Sequence, residues 1–410
     1  MNSILTIFVC IAVVFMLPLL LKNGYIIMCM LVLPTIRKKL TKKESCRLRF
    51  AFLIPAHNES AVVGSCVESI VRQDWPSELV HAYVIADNCR DNTAAVARQA
   101  GAAVFERFTE EISGKAEAVR FGIDRINQDG ANFDYLVIVD ADNILAHDWI
   151  ATVEHSISGE DGFQTYVETK NPKDSAVTFG NYLSFVFMNK VIQEGRSRLG
   201  LPALLAGTGM GFSRQFVGRE GFSSNSLTED RDLSAQALDR GYSFKWIGEA
   251  VLFDEKPLGA KASFNQYKRW SSGQLAGMSS DFSRFITLLG RGKLLRAFDM
   301  LYTMTGPMLP FSYVGALLMS SICLMFGSPE PIFLFFGMST LSVLLLALML
   351  CFFGRGMRDV LGLGTYVYVR LISWASLIAA LIRKDNKWIK TEHARSMTAD
   401  DIDQIRKGDF

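Results

Sequence analysis

Two phosphate-binding signatures are missing from this sequence of 410 residues: it has no GxxxxGKS/T loop, and no GxGxxG follows an apolar strand-like run. Their absence excludes a P-loop nucleotide hydrolase and a dinucleotide-dependent dehydrogenase. A dominant charge is missing too. Lys and Arg number 43 against 41 Asp and Glu, a formal net charge of +2, so no overall field points to nucleic acid as a partner. The seven cysteines, at 10, 29, 46, 66, 89, 323 and 351, include no CxxC pair and no Cys/His ligand spacing. They read as buried thiols in a reducing compartment rather than as metal ligands. No basic stretch precedes the first apolar run and no small-residue cleavage site follows it, so an uncleaved anchor is expected there rather than a signal peptide.

Apolar residues are abundant, at 50% of the chain, with a mean hydropathy of +0.20. That is more than a purely soluble chain of this length usually carries. Residues 3–36 are almost uncharged, SILTIFVCIAVVFMLPLLL and then YIIMCMLVLPTI, interrupted only by Lys22, Asn23 and Gly24. The first run is long enough to cross a hydrocarbon core of roughly 30 Å; a separate crossing by residues 24–36 stays open. Five cations in seven residues follow, Arg37 to Lys43, and by the positive-inside rule they put the next domain in the cytoplasm. Residues 299–326 and 331–353 are apolar, joined by GSPEP without a cation and followed by GRGMRD with two, as in an outward hairpin. Residues 361–382 are apolar but interrupted by Arg370, and the cationic IRKDNKWIK lies behind them. An interfacial or re-entrant helix is favoured there over a third crossing. Trp374 and Trp388 suit the headgroup level. The expected domains are an anchor (1–36), a soluble domain (48–290), a membrane hairpin (299–353), and an interfacial helix with a cytoplasmic tail (359–410).

The soluble part reads as α/β. FAFLI (50–54), HAYVIA (81–86) and YLVIV (135–139) are short apolar runs ending at polar residues, as buried parallel strands do. Val62, Val63, Cys66, Val67, Ile70 and Val71 recur at helical spacing behind Ser60, an expected N-cap. Further helices are expected from Asp91 or Asn92 and over 115–126. This alternation predicts an open, largely parallel sheet with helices on both faces, whose ligands bind beyond the carboxyl ends of the strands.

The loops at those ends are polar. PAHNES, DNCRDNT and DADN follow the first, second and fourth strands. Asp87 and Asp91 suit turns as well as ligands. Asp140 and Asp142 form an acid-x-acid pair with no Lys or Arg within five positions, and two such carboxylates repel unless something divalent joins them. Hard oxygen ligands suit Mg²⁺ or Mn²⁺ carrying a phosphate group. Lys115 opens a helix after a glycine, either reaching such a phosphate or simply solvated. Glu229 and Asp230 start another helix, where acids complement the dipole, and an Asp there is equally a candidate general base. Gly207, Gly209 and Gly211 alternate, for close approach to something bulky or for flexibility alone. In NQYKRWSSG (265–273), Lys268 and Tyr267 suit an amphipathic helix snorkelling at the bilayer surface.

PAHNE, IADNCRDNT, SGKAEA, DADN, GTGMGF, SLTED and QYKRW, in that order inside a membrane frame, resemble glycosyltransferase family 2. The likeness is to its membrane-embedded branch of cellulose, hyaluronan and chitin-oligosaccharide synthases, and it covers roughly residues 48–280. It implies a GT-A domain, the nucleotide-diphospho-sugar transferase fold, with flanking transmembrane helices. Carried over by residue, Asp87 would contact the nucleotide base with Pro55, Ala56 and Glu59 in the same pocket. Lys115 would lie by the diphosphate, and Asp140 and Asp142 match the DxD pair that holds the donor and its Mn²⁺ or Mg²⁺. Asp230 matches the base for one inverting displacement. Gln266, Arg269 and Trp270 match QxxRW, with Arg269 at the diphosphate and Trp270 as acceptor platform. Gly207, Thr208, Gly209 and Glu229 are assigned to the acceptor side. In SGKAEA, Ala116 and Glu117 stand where glycine-rich or basic neighbours are common. After QYKRW nothing resembles a cyclic-nucleotide sensor.

The expected activity is transfer from a nucleotide diphospho-sugar, a UDP-sugar, to a growing polysaccharide at a bacterial inner or plasma membrane. The alternatives are single transfer to a membrane lipid acceptor, and a non-catalytic membrane scaffold. Expected partners are the donor, a polysaccharide or lipid-linked acceptor and membrane lipids, with no nucleic acid.

Overall fold

The computed structural model describes residues 2–34, 47–110, 114–220, 228–354 and 356–382, with Met397 and Asp401 besides. The basic run Arg37 to Lys43, the Ser226–Leu227 dipeptide and the cationic segment carrying Trp388 lie outside the described residues.

The strands are β1 (Phe50–Ala56), β2 (Val80–Asp87), β3 (Ala103–Arg107), β4 (Tyr135–Ile138), β5 (Ile144–Leu145), β6 (Gly162–Thr169), β7 (Met210–Ser213) and β8 (Phe244–Asp254). They form one sheet in the order β3-β2-β1-β4-β7-β6-β8-β5. β3, β2, β1 and β4 run parallel, as the apolar runs predict. Beyond β4 the sheet is mixed: β7 is antiparallel to β4 and β6, and β5 to β8. β7 breaks the expected pattern because it is short and glycine-bearing. The Phe163 ring covers Gly211 so closely that a Cβ there would lie 2.2 Å from it.

α2 (Val63–Val71), α3 (Thr93–Gln99) and α5 (Trp149–Ser156) cover one face of the sheet. α4 (Lys115–Gln128), α8 (Arg214–Glu220) and α9 (Glu229–Arg240) cover the other. β1 serves both: Phe50, Phe52 and Ile54 enter the first core, Ala51 and Leu53 the second. Burying each large apolar side chain contributes about 1.5–3 kcal/mol. Ser60 is not the N-cap of α2. Val62 holds that position without a side-chain bond. The Glu59 carbonyl accepts from the Val62 and Val63 amides at 3.1 and 3.0 Å, while Asp91 accepts from the Ser60 amide at 3.2 Å. Residues 57–60 are drawn into a loop, with Asn58 in the left-handed region at φ 54.

The remaining helices are α1 (Asn2–Val32), α6 (Ala176–Phe187), α7 (Glu194–Arg198), α10 (Ala260–Gly290), α11 (Leu294–Thr305), α12 (Leu309–Met325), α13 (Glu330–Phe353), α14 (Met357–Leu361) and α15 (Leu363–Ile382). A π-helical turn, Met188–Gln193, joins α6 to α7. Among the described residues four helical spans are long and apolar enough to cross a membrane: Ser3–Val32, Leu294–Met325, Glu330–Phe353 and Leu363–Ile382. α1 is continuous through Lys22, Asn23 and Gly24, so residues 24–32 extend the first helix rather than form a second. The second span bends at a 3-10 turn, Gly306–Met308, where Pro307 lacks an amide proton. Within residues 361–382, expected as an interfacial or re-entrant helix, lies the apolar helix Leu363–Ile382, which is long enough to cross a membrane. It packs so tightly on α6 that a Cβ on Gly180 would lie 2.3 Å from the Thr365 carbonyl oxygen.

Polar contacts tie this bundle together. Asn23, 2% exposed, donates to the Met338 carbonyl at 3.0 Å and accepts from Ser342 at 2.7 Å, fastening α1 to α13. The side chains of Arg196 and Asp299 are fully buried and paired, and the Tyr25 hydroxyl donates to the same Asp299 oxygen. α1, α7 and α11 therefore meet at one charge pair.

Candidate active site

A cavity of about 1120 Å³ starts at the carboxyl ends of β1, β2 and β4 and continues between the long apolar helices. β1 lies between β2 and β4, the switch point at which open α/β sheets bind ligands. Of the residues the family resemblance assigns to the site, all but Gly209 line it; Asp91, a turn or ligand candidate, does not, and accepts from Thr93 and Ser60 instead, while Gly211 lies under the Phe163 ring. Gly209 instead packs into the sheet: at φ +61, a Cβ would lie 2.1 Å from Leu252 and 2.6 Å from Thr165.

Pro55, Ala56, Glu59 and Asp87 close one end of the cavity. Arg107 donates to Asp87 Oδ1 at 2.7 Å. His57 Nδ1 lies 2.7 Å from the Asp87 carbonyl oxygen, and Asn88, at φ 49, holds the loop by accepting from the Thr109 amide at 2.9 Å. Arg107, His57 and Asn88 are not legible as site residues in the sequence. The β2–β3 register sets Arg107 opposite Asp87, and register exists only in the folded sheet.

In the middle, Lys115 Nζ donates to Asp140 Oδ1 at 2.5 Å and to the Gly207 carbonyl at 2.7 Å. Burial works against its charge, yet Asp140, Glu229 and Asp230 raise its pKa above the usual lysine value. Asp140 is therefore neutralised from across the cavity, although its sequence neighbourhood has no cation. Thr208 accepts from the Asp140 amide at 3.1 Å and donates to Asn143 Oδ1 at 2.5 Å. Asp142 is 3% exposed; its oxygens accept from the Asn143 side chain and the Glu255 amide, both at 3.2 Å. No cluster of three or more His, Cys, Asp or Glu able to hold a metal occurs among the described residues. Two hard carboxylates beside open volume nonetheless fit Mg²⁺ or Mn²⁺, ions usually held by one or two protein carboxylates while phosphate and water complete the shell.

Opposite them, Glu229 and Asp230 form the first turn of α9. Asp230 Oδ1 accepts from the Arg231 amide at 2.7 Å. Burial first, then the neighbouring Asp230 charge, pushes the Glu229 carboxyl up to about 7. Burial also raises Asp230 above the usual carboxylate value, against the pull of the Arg231 amide and Lys115. Gly207, at φ +79, makes room for this pair: a Cβ there would stand 3.2 Å from Asp230 Oδ2 and 3.8 Å from Lys115 Nζ.

Gln266, Arg269 and Trp270 share a face of α10, at i, i+3 and i+4, and all line the cavity. Arg269 has no hydrogen bond or ion pair to a described residue. Burial lowers its pKa, while the fields of Asp140, Glu229 and Asp230 act the other way. Trp270 is 37% exposed, with its ring perpendicular to Tyr267 at 5.3 Å. Tyr267 does not snorkel: it is 6% exposed, donates to Asn181 Oδ1 at 2.7 Å and accepts from Arg370 at 3.0 Å.

The family model for glycosyltransferase like family 2 matches residues 47–273. The chain belongs to glycosyltransferase family 2. Its relatives include an uncharacterized glycosyltransferase, YaiP, of Escherichia coli, 22% identical over 71% of this chain and 77% of that protein. Another is a probable glycosyltransferase, YdaM, of Bacillus subtilis, 21% identical over 62% of this chain and 61% of that protein. Among solved structures, the mannosyltransferase PcManGT from Pyrobaculum calidifontis, in complex with GDP-mannose and Mn²⁺, has a TM-score of 0.61 at 17% identity. It covers 92% of this chain and 98% of that one. The family 2 chain thus has the GT-A fold, flanked by long apolar helices, and it is a glycosyltransferase.

Proposed function

We propose that the protein is a membrane-bound inverting glycosyltransferase that moves a sugar from a nucleotide diphospho-sugar to an acceptor hydroxyl entering from the membrane end of the cavity. The observation carrying this reading is that the Asp140/Asp142 pair, the Glu229/Asp230 pair and the unpartnered Arg269 all border one cavity. In this reading Asp87, with Pro55, Ala56 and Glu59, holds the nucleotide base. Lys115, Gln266 and Arg269 face the diphosphate, and Asp140 and Asp142 hold Mg²⁺ or Mn²⁺. The bound metal supplies positive charge to the departing diphosphate.

Asp230 takes the proton of the acceptor hydroxyl as that oxygen attacks the anomeric carbon. The bond from this carbon to the diphosphate oxygen breaks, its electron pair leaves with the nucleoside diphosphate, and the configuration inverts. A carboxylate with a raised pKa is a stronger base for this step. Glu229 lies beside it, and Gly207, Thr208 and Trp270 form the acceptor side, the indole face suiting the C–H side of a sugar.

A UDP-sugar is the donor implied by the family resemblance, and the GDP-mannose of the Pyrobaculum enzyme makes a GDP-sugar its competitor. Of the two acceptors, a growing polysaccharide and a membrane lipid, the lipid is favoured. The inner part of the cavity is walled by Ile26, Val343, Leu346, Val367 and Leu371, side chains that suit a hydrocarbon chain better than a glucan. The cation asymmetry of the sequence puts the catalytic domain on the cytoplasmic side of a bacterial inner or plasma membrane.

The purified chain is to be incubated with Mn²⁺ or Mg²⁺, membrane lipids and a panel of UDP- and GDP-sugars, reading nucleotide release and product mass. A lipid heavier by one sugar is expected. A ladder of long oligomers would move the reading back to polysaccharide synthesis, and no release from any donor would sink it.

A further inference from the structure

We propose that Lys22 and Arg370 bind the phosphate of an anionic lipid acceptor at the membrane end of the cavity. This rests on the lipid-acceptor reading above and deepens it, from a lipid to a phosphate-bearing one.

Both side chains line the cavity, and both belong to helices long and apolar enough to span a membrane. Lys22 has no hydrogen bond or ion pair to any described residue. Arg370 donates to the Tyr267 hydroxyl at 3.0 Å and lies over the Tyr267 and Tyr366 rings at 5.5 and 5.6 Å. Its Nε is buried without a partner. Among the described residues neither cation meets a carboxylate, and both face the same cavity. Uncompensated charges in an apolar surround are costly and mark functional sites. The missing counter-charge is an anion brought by the ligand.

Wall chemistry identifies its carrier. Around them the cavity walls are aliphatic, from Ile26, Val343, Leu346 and Leu371, and fit the hydrocarbon chain of a lipid. Arg370 also holds Tyr267, whose ring touches Trp270. A phosphate at Arg370 therefore lies one residue layer below the acceptor platform. A neutral glucan would leave both cations uncompensated.

The test is equilibrium binding to the full chain in neutral detergent, read by native mass spectrometry, with farnesyl monophosphate, farnesol, inorganic phosphate and an acidic oligosaccharide as probes. Farnesyl phosphate is expected to bind at least about tenfold more tightly than farnesol. Lys22→Gln and Arg370→Gln are each expected to abolish most of that preference, and Lys22→Arg and Arg370→Lys to restore it. Nucleotide binding, unchanged throughout, reports that the variants fold; Lys22→Gln is the cleaner of the two because Lys22 has no protein partner to lose. Equal binding of phosphate and alcohol, or a preference that survives both Gln variants, would overturn the proposal. So would inorganic phosphate binding as well as the lipid, or the oligosaccharide binding where the lipid does not. Because binding is read without turnover, a failure of donor turnover would sink the transferase reading while leaving this result intact.

Discussion

At the sheet end of the cavity Arg107 lies 2.7 Å from Asp87 and Lys115 lies 2.5 Å from Asp140. At the membrane end Lys22 and Arg370 have no carboxylate partner among the described residues, and Arg269, on the helix between the two ends, has none either. The difference separates two uses of charge. Paired groups fix the loops before any ligand arrives, because each partner limits where the other can sit. Unpaired cations in a low-dielectric surround are held ready for an anion that the protein does not contain.

The sharpest way to break this contrast is at the base. Asp230→Asn removes the proton acceptor while keeping shape, and kcat is expected to fall about 10²–10⁴-fold with donor binding retained. A larger loss in Glu229→Gln would transfer the role to its neighbour. A charge pair outside the cavity sets the scale for pairing alone. Arg196 and Asp299 are fully buried, so Arg196→Met should cost about 3–5 kcal/mol in unfolding free energy, with Arg196→Met/Asp299→Leu recovering part of it. If the single variant unfolds like the parent, the pair is not what joins α1, α7 and α11. Arg107→Met tests the paired end: leaving Asp87 without its cation should weaken nucleotide binding about tenfold, measured by calorimetry. Unaltered binding would show that Asp87 does not need presetting.

The smallest expected effect is in pH. A base must be ionised, and ionisation is lost as pH falls through its pKa. With Glu229 up at about 7 and Asp230 raised beside it, the pair titrates as a unit. The acid limb of kcat/KM should therefore begin close to neutrality, above the ordinary carboxylate range. A flat profile down to pH 5 would contradict the raised values.

Much of the architecture was legible because it is written locally. The runs at 50–54, 81–86 and 135–139 became β1, β2 and β4, since an unbroken apolar run ending in polar residues suits a strand buried on both sides. Pro55, Ala56 and Glu59, then Asp140 and Asp142, then Gln266, Arg269 and Trp270 each sit within one loop or about one helical turn, so each set reaches the cavity together. Other features were not legible. Ser60 looks like an N-cap, but Asp91, distant in sequence, takes its amide and the helix starts later. Tyr267 looks like an interfacial aromatic, but α6 and α15 bury it. Gly209 looks like its neighbour Gly207, yet one packs into the sheet and the other lies beside Asp230.

The sequence by itself determined the apolar spans, the strands of the parallel half-sheet and the acids at their ends, because hydrophobic period and turn chemistry depend on neighbours along the chain. Only the tertiary structure decided that Lys115 neutralises Asp140, that Arg107 neutralises Asp87, and that Lys22 and Arg370 line the same cavity while neither pairs with a carboxylate among the described residues. Coulombic pairing depends on distance through space and on the local dielectric, and separation along the chain fixes neither.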